Sequence, residues 1–186
     1  MPFELSVLDI HNWADTLPAR RQLPRLLRRL ALLHTGVEAI EFAADEDTQL
    51  GGYDGTILST GSHAFFPSGL SVWEMGVDAQ VKGKADKDFQ KRSFDKPSEA
   101  PVEGQDSSIS TLPEMVLDRS QFTYVFVTPR RWSTKDKWVR DKKALGIWKD
   151  VRALNAGDLV TWLELQYRTS LIFDRLRRSS LIPALG

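Results

Sequence analysis

The chain has 186 residues, a formal net charge of zero, no cysteine, and 41% hydrophobic and 27% charged residues. This length suffices for one domain with a core, and the composition is ordinary for a globular protein. It excludes disulfides and thiolate metal sites, and the apolar runs are far shorter than the ~20 residues of a membrane helix. The first residues, MPFELSVLDI, lack the basic start of a secretory signal. We therefore expect one cytoplasmic domain over residues 1–186, without membrane contact.

The hydrophobic pattern predicts elements in the order α-β-β-β-α-β-α-β-α. The first helix has leucines at helical spacing from Leu23 onward, with Pro24 in its first turn and Gly36 after its end. The predicted strands are 37–42, 54–59, 70–76, 122–127 and 147–151. The later helices are predicted at 84–92, 135–145 and 155–178, the last with Asn155 as its cap. Residues 93–112 are rich in Pro, Ser, Glu and Gly, which is typical of a mobile loop.

The order of these elements indicates the fold class. Three consecutive strands followed by a helix and a crossover strand predict a single mixed β-sheet flanked by helices, an α/β fold. We find no internal repeat and no domain boundary in the chain, and we place the core at about residues 18–165.

Charge is distributed unevenly along the chain. Residues 37–81 contain eight acids and no Lys or Arg, whereas residues 129–149 contain eight basic residues and two acids, a local charge of +6. The first region has the composition of a cation site and the second that of a surface for a polyanion. The same charges also fit two solvated faces, so charge alone leaves both interpretations open.

Two carboxylates fall on neighbouring strands of the predicted sheet. Asp54 begins the second strand and Glu74 lies in the third. A hairpin between these strands brings both side chains to one edge, and magnesium is usually held by one or two carboxylates with waters and phosphate oxygens. Two other interpretations stay open: Asp54 as a residue of an Asp-Gly turn, and Glu74 as a buried acid paired with a basic side chain instead of a metal.

The segments GGYDG, SVWEMG and KADKDFQKR, in this order, resemble the nuclease core of the PD-(D/E)XK superfamily. The later segments VFVTPRRW, KDKW and GIWKDVRALNAGDLVTWLE are similar to the same group, so the resemblance covers roughly residues 5–165. More narrowly, the chain resembles the restriction-endonuclease-like effector domain of some bacterial antiphage STAND ATPases. This resemblance implies an αβββαβ core, to which the predicted elements add a C-terminal strand and helix, and a DNA endonuclease that uses Mg²⁺ or Mn²⁺. We expect low sequence specificity, because the sequence contains no zinc finger or separate helix-turn-helix that would read bases.

The resemblance also assigns roles to single residues. Asp54 matches the first acid of the superfamily motif and Glu74 the second, so both are expected to bind the metal and serve catalysis. The chain departs from the motif at Gly76, where the superfamily usually has lysine. Lys84, in the following predicted helix, is the expected replacement, and Lys82 is its main rival.

Two further side chains share a helical face with Lys84. Asp88 and Arg92 follow it at i+4 and i+8. We expect Asp88 to orient Lys84, and Arg92 to contact phosphate, because a guanidinium matches phosphate oxygens well.

A basic segment that also contains tryptophans follows the fourth predicted strand, and this combination suits a DNA backbone. The expected DNA contacts are Arg130, Arg131, Lys135 and Lys137. Trp132 and Trp138 of this segment also fit core positions. The five arginines between residues 20 and 29 fit either DNA or an interface with another protein region.

The resemblance implies three partners: DNA, most readily double-stranded, a second copy of the chain, and an ATPase and sensor of the STAND type. Three alternatives stay open. The first is a catalytically inactive DNA-binding or assembly module on the same fold, for which Gly76 is the signature. The second is an RNase, and the third is an adaptor that binds protein through its first helix. The two acids argue against a pure binder, because they would repel a phosphate.

Overall fold

The computed structural model describes residues 5–42, 52–61, 63–94 and 118–179 of the chain. Its strands form one sheet in the order β1-β2-β3-β4-β5. The strands are β1 (Val37–Phe42), β2 (Gly55–Ser59), β3 (Gly69–Met75), β4 (Thr123–Val127) and β5 (Asp150–Leu154). The helices are α1 (Val7–Trp13), α2 (Ala19–Leu32), α3 (Val81–Phe94), α4 (Lys135–Lys143) and α5 (Ala156–Ser179), with a short 3₁₀ helix at Arg119–Gln121.

The sheet is mixed. β1, β2 and β3 are antiparallel neighbours, whereas β4 runs parallel to β3, and β5 parallel to β4. Parallel neighbours need a crossover connection, and α3 and α4 lie in the two connections concerned. The α/β fold with a single mixed sheet, predicted from the order of the elements, is confirmed.

Helices cover both faces of the sheet. Because successive side chains of a strand point to opposite faces, Trp73 and Val72 of β3 enter two different hydrophobic cores. The first core is closed by α1, α2 and α5, and the second by α3 and α4. Trp132 and Trp138 are buried in the second core, so the core alternative for these two tryptophans is the correct one.

The N-terminal helices differ from the prediction. α1 was not expected, although Ser6 and Asp9 form a capping box at its start. α2 begins at Ala19, so Pro24 lies inside the helix and not in its first turn. Leu23, Leu27 and Leu30 bury one face of α2, and this packing outweighs the hydrogen bond that a proline cannot donate.

The C-terminal elements show a second difference. The strand predicted at 147–151 is observed three residues later, as Asp150–Leu154. The apolar start of the predicted strand belongs to the loop, where Trp148 packs into the second core and donates to Ser93 Oγ at 2.9 Å. Asn155 caps α5 as expected, since its Oδ1 accepts from Gly157 N at 3.0 Å.

Residues 93 and 94 of the predicted mobile loop belong to α3, and residues 95–112 lie outside the described residues. Within the described part, no helix has the length and apolar character needed to cross a membrane.

Candidate active site

Asp54 and Glu74 stand side by side at the same end of β2 and β3. Gly55 pairs with Trp73, so the next position along the two antiparallel strands places Asp54 beside Glu74. The backbone N–H of Met75 donates to Asp54 Oδ2 at 2.7 Å and fixes this carboxylate. The structure therefore brings together the two acids that the sequence singled out.

Glu74 is paired with a basic side chain. It is only 3% exposed, and its Oε1 accepts a hydrogen bond from Arg92 Nε. The guanidinium carbon of Arg92 lies 5.0 Å from the centre of the Tyr53 ring. Arg92 was expected to contact phosphate, but here its Nε is engaged by Glu74. The basic partner that we considered as an alternative for Glu74 is therefore present.

The pKa of Glu74 reflects this buried position. Burial first, and then the neighbouring Asp54 carboxylate, raise the pKa of Glu74 to about 8, although Arg92 acts in the opposite direction. The upward direction follows because removing a carboxylate from water costs more than one ion pair returns. A divalent cation between the two acids would favour the ionised form of both.

The side chain of Lys84 lies over Gly76. A Cβ at Gly76 would come within 2.9 Å of Lys84 Cγ and 3.4 Å of Lys84 Cε. The ammonium group then pairs with Asp88, with 2.9 Å between Nζ and Oδ1. The absence of a side chain at Gly76 thus leaves room for the stem of Lys84, which comes from the following helix.

Lys82, the rival of Lys84, points elsewhere. Its ammonium binds Asp86 at 2.7 Å, and its side chain is 67% exposed. Asp86 also accepts hydrogen bonds from Lys142 and from Trp138 Nε1, which ties α3 to α4. Burial opposes ionisation of Asp86, but these donors together lower its pKa to about 2. The geometry therefore favours Lys84 over Lys82, because only the side chain of Lys84 lies over Gly76, two residues after Glu74.

Two buried polar atoms near the acids have no partner. They are Asp88 Oδ2 and the Tyr124 hydroxyl, and among the described residues nothing hydrogen-bonds to either. Burial, followed by the charges of Glu74 and Asp88, raises the pKa of Tyr124 well above its ordinary value. Burial also raises the pKa of Asp88, against the effect of Lys84. Such groups normally bind a water or an ion, so this region is polar as well as buried.

The expected DNA-binding residues are not one surface. Arg130 is a structural residue, because it is 7% exposed and donates to Val77 O at 2.8 Å. It also binds Asp15 at 2.6 Å. Its guanidinium holds the chain segment after α1 against the loop after β3, and this burial argues against the expected contact of Arg130 with DNA.

The other three residues of this set differ in exposure. Lys135 is largely buried and binds Asp158 at 2.5 Å, which ties the start of α4 to the start of α5. Lys137 is 70% exposed and 3.3 Å from Asp141, and Arg131 is also exposed. Arg131 and Lys137 thus remain as candidates for a phosphate contact.

Sequence reasoning missed the two tyrosines of this region. Tyr53 lies directly before Asp54 and packs under Arg92, and burial raises its pKa. Tyr124 lies in the FTYVFV segment, whose largely apolar composition predicts a buried strand and gives no sign of a functional hydroxyl group. Neither residue carries a periodic signal. Only its place beside Asp54 could have singled out Tyr53, and no signal in the sequence singles out Tyr124.

The carboxylate oxygens of Asp54 and Glu74 are the type of ligand that a hard divalent cation prefers. Asp54 and Glu74 each keep one carboxylate oxygen that accepts no hydrogen bond from the part of the chain that the structure describes. Within that same part, no group of three or more His, Asp or Glu side chains is placed to hold a metal. The arrangement therefore suits Mg²⁺ or Mn²⁺, which complete their coordination with waters and phosphate oxygens, and not a metal that needs a full set of protein ligands.

Comparisons of the chain with protein-family models, with curated proteins and with solved structures gave no match.

Proposed function

We propose that this chain is a metal-dependent nuclease of the PD-(D/E)XK type that hydrolyses DNA phosphodiester bonds. The observation that carries the proposal is the placement of Lys84 over Gly76. It brings an ammonium-bearing side chain from α3 to the position two residues after Glu74, where the superfamily motif has its lysine. Asp54 and Glu74 are the two acids of the motif in this assignment.

The residues divide the work as follows. Asp54 and Glu74 hold Mg²⁺ or Mn²⁺, which when bound polarises a phosphoryl oxygen and makes a bound water more acidic. Lys84 places positive charge near the phosphoryl oxygens, where negative charge grows in the transition state. Asp88 orients Lys84 through the ion pair between them. Burial of Asp88 strengthens this orientation, because a paired charge that is removed from water is weakly screened.

The resemblance also suggests where the chain acts. In this proposal the chain is a cytoplasmic effector of antiphage defence that cuts double-stranded DNA with low sequence specificity. Its partners are a second copy of the chain, or an ATPase and sensor of the STAND type that clusters the nuclease domains. Arg131 and Lys137 supply phosphate contacts in this proposal, since both are exposed.

One observation favours a second candidate, a non-catalytic DNA-binding or assembly module on the same fold. Arg92 already neutralises Glu74, so the burial of Glu74 needs no metal to explain it. A module of this kind would keep the ion pair as part of its core and would bind neither Mg²⁺ nor Mn²⁺ through Asp54 and Glu74.

The experiment is a cleavage assay on supercoiled plasmid and on single-stranded RNA, with Mg²⁺, Mn²⁺ or EDTA, at a protein concentration that favours self-association. The test variants are Asp54→Asn and Glu74→Gln, which change the charge with little change in shape, and Lys84→Ala, which removes the ammonium group that pairs with Asp88. The matched controls are Asp78→Asn and Lys82→Ala, at exposed positions of the same segment.

Metal-dependent nicking that is lost in the three test variants and kept in the two controls is the expected result. Cleavage of RNA alone would move the assignment to an RNase. If no nucleic acid is cut, Mn²⁺ calorimetry decides between the two candidates. Heat that disappears in Asp54→Asn supports the metal site, and the absence of heat in both the unmodified chain and Arg92→Gln leaves the non-catalytic module.

A further inference from the structure

We propose that Arg92 is a gate on the metal site: it pairs with Glu74 Oε1, and its positive charge opposes a divalent cation at the free oxygen of the same carboxylate until the pair opens. This inference rests on the proposed function and adds a regulation of the same site. It assigns Arg92 as a positioning residue that acts through Glu74 and not as a phosphate contact.

Three contacts build Arg92 into the acid site. Its Nε donates to Glu74 Oε1, and its guanidinium carbon lies 5.0 Å from the centre of the Tyr53 ring, as in a cation–π contact. Its backbone carbonyl accepts from Arg119 Nε at 2.7 Å, which fixes the end of α3. Arg92 is therefore placed on Glu74 by packing on several sides.

Gly52 provides the space for this arrangement. Its φ is +77°, and a Cβ there would lie 2.9 Å from Arg92 Nη1. A positive φ is a conformation that glycine adopts easily, so the chain passes the guanidinium closely just before Asp54. Gly52, two residues before Asp54, thus also leaves the space that the Arg92 guanidinium occupies.

The gate follows from competition for one carboxylate. Asp54 Oδ2 is occupied by the N–H of Met75, and Glu74 Oε1 is occupied by Arg92. A cation that binds both acids meets a fixed positive charge on one of them. At a given distance, a unit positive charge repels a divalent ion twice as strongly as it repels a monovalent one. The pair between Arg92 and Glu74 thereby lowers the affinity of the site for the cation.

Calorimetry with Mn²⁺ on the full chain tests the gate. The main variant is Arg92→Gln, which removes the charge and keeps much of the length. Lys91→Gln is the matched control, because it removes one positive charge from the neighbouring, exposed position of α3. Tyr53→Leu is the second variant. It weakens the seat of Arg92 but leaves the pair with Glu74 in place, and Asp54→Asn defines the loss of the site.

We expect Arg92→Gln to bind Mn²⁺ about tenfold more tightly or better than the unmodified chain. Tyr53→Leu should show a smaller gain, and Lys91→Gln should bind as the unmodified chain does. A merely structural role of Arg92 would weaken binding instead. Equal or weaker binding in Arg92→Gln, with binding still lost in Asp54→Asn, overturns the gate and leaves the metal site standing.

The remaining outcomes also decide. If neither the unmodified chain nor Arg92→Gln binds Mn²⁺, both the gate and the proposed function fall. If only Arg92→Gln binds, the gate is supported in its strongest form. If Arg92→Gln does not fold by circular dichroism, Tyr53→Leu decides, and an unchanged affinity in that variant overturns the gate.

Discussion

The contact between Gly76 and Lys84 leads to a prediction about coupled substitutions. Gly76→Ala adds a Cβ that meets Lys84 Cγ at 2.9 Å and Phe126 Cζ at 3.4 Å. The stem of Lys84 cannot simply move away, because its ammonium is bound to Asp88 at 2.9 Å. We therefore expect the substitution to lower the free energy of unfolding by about 1–2 kcal/mol, at the low end of the cost of overpacking.

Lys84→Ala alone has a different cost. It leaves Asp88, which is buried, without its cation, and an unsatisfied buried group costs about 1–3 kcal/mol. In the double variant the new Cβ no longer meets a side chain from α3, so only the ordinary contact with Phe126 remains. The loss caused by Gly76→Ala should therefore disappear when Lys84 is absent, which is a favourable coupling of about 1–2 kcal/mol.

Urea unfolding followed by tryptophan fluorescence measures the four free energies of this cycle. Gly83→Ala is the matched control, because a Cβ at Gly83 meets no atom within 4 Å. In the first turn of α3 it should stabilise by no more than about 1 kcal/mol, with or without Lys84. If the Gly76 and Lys84 substitutions add within ~0.5 kcal/mol, the stem of Lys84 does not lie over Gly76, and the main support for the proposed lysine is lost.

Three further predictions concern other parts of the molecule. Burial, with a second histidine nearby, lowers the pKa of His34, and its Nε2 accepts from Trp162 at 2.8 Å, so the folded chain favours the neutral ring. The contribution of the neutral His34 ring to stability is present above a pH of about 6.5 and is lost as the pH falls below that value. The urea concentration at the midpoint of unfolding should therefore fall between pH 7 and 5, and it should fall less in His34→Gln. Saturating Mn²⁺, at about 100 times its Kd, should raise the free energy of unfolding by about 2.7 kcal/mol, and thermal scans of Asp54→Asn should show no such gain. Arg130→Met leaves the carbonyl groups of Val77 and Ala14 without their donor and should cost about 1–3 kcal/mol. Arg131→Met should change stability by less than about 0.5 kcal/mol but weaken binding to a labelled duplex in an anisotropy titration; equal costs for the two arginines would contradict their assigned roles.

The sequence was sufficient for the fold class and for the placement of the acids. Alternation of apolar residues and the hairpin between β2 and β3 brought Asp54 beside Glu74 in the prediction as in the structure. Both features depend on local spacing, which a single sequence shows. The i+4 relation of Lys84 and Asp88 was predictable for the same reason, and the ion pair is present.

Partners that are distant in the chain were not predictable in the same way. Arg92 reaches Glu74 across 18 positions, and Arg130 reaches the end of α1 across more than a hundred. An arginine on a helix face and an arginine after a strand look equally exposed in a sequence. Only the packing decides which of them is buried. Charge alone therefore did not indicate that Arg92 pairs with Glu74 and that Arg130 pairs with Asp15.

The bounds of α1 and β5 also differ from what the sequence pattern predicts. The S-x-x-D pattern of Ser6 and Asp9 is a usual start signal of a helix, but α1 has only seven residues and a single buried one. β5 begins three residues later than predicted because pairing with β4 buries Val151 and Ala153. Ile147 lies in the loop before β5, beside Trp148, which packs into the second core. In both cases tertiary contacts, and not local preference, set the bounds.

The charges of the candidate site favour one class of substrate under the proposed function. Three carboxylates, of Asp54, Glu74 and Asp88, face two cations, Lys84 and Arg92, through the contacts and couplings of this region. When all five groups are ionised, their sum is −1, and one divalent cation changes it to +1. Since uncompensated charge is costly where water is scarce, the loaded site is best matched by a ligand with a single negative charge. An internal phosphodiester carries one such charge, whereas a terminal phosphate carries nearly two at neutral pH. The balance of charges thus favours hydrolysis of a phosphodiester over removal of a terminal phosphate.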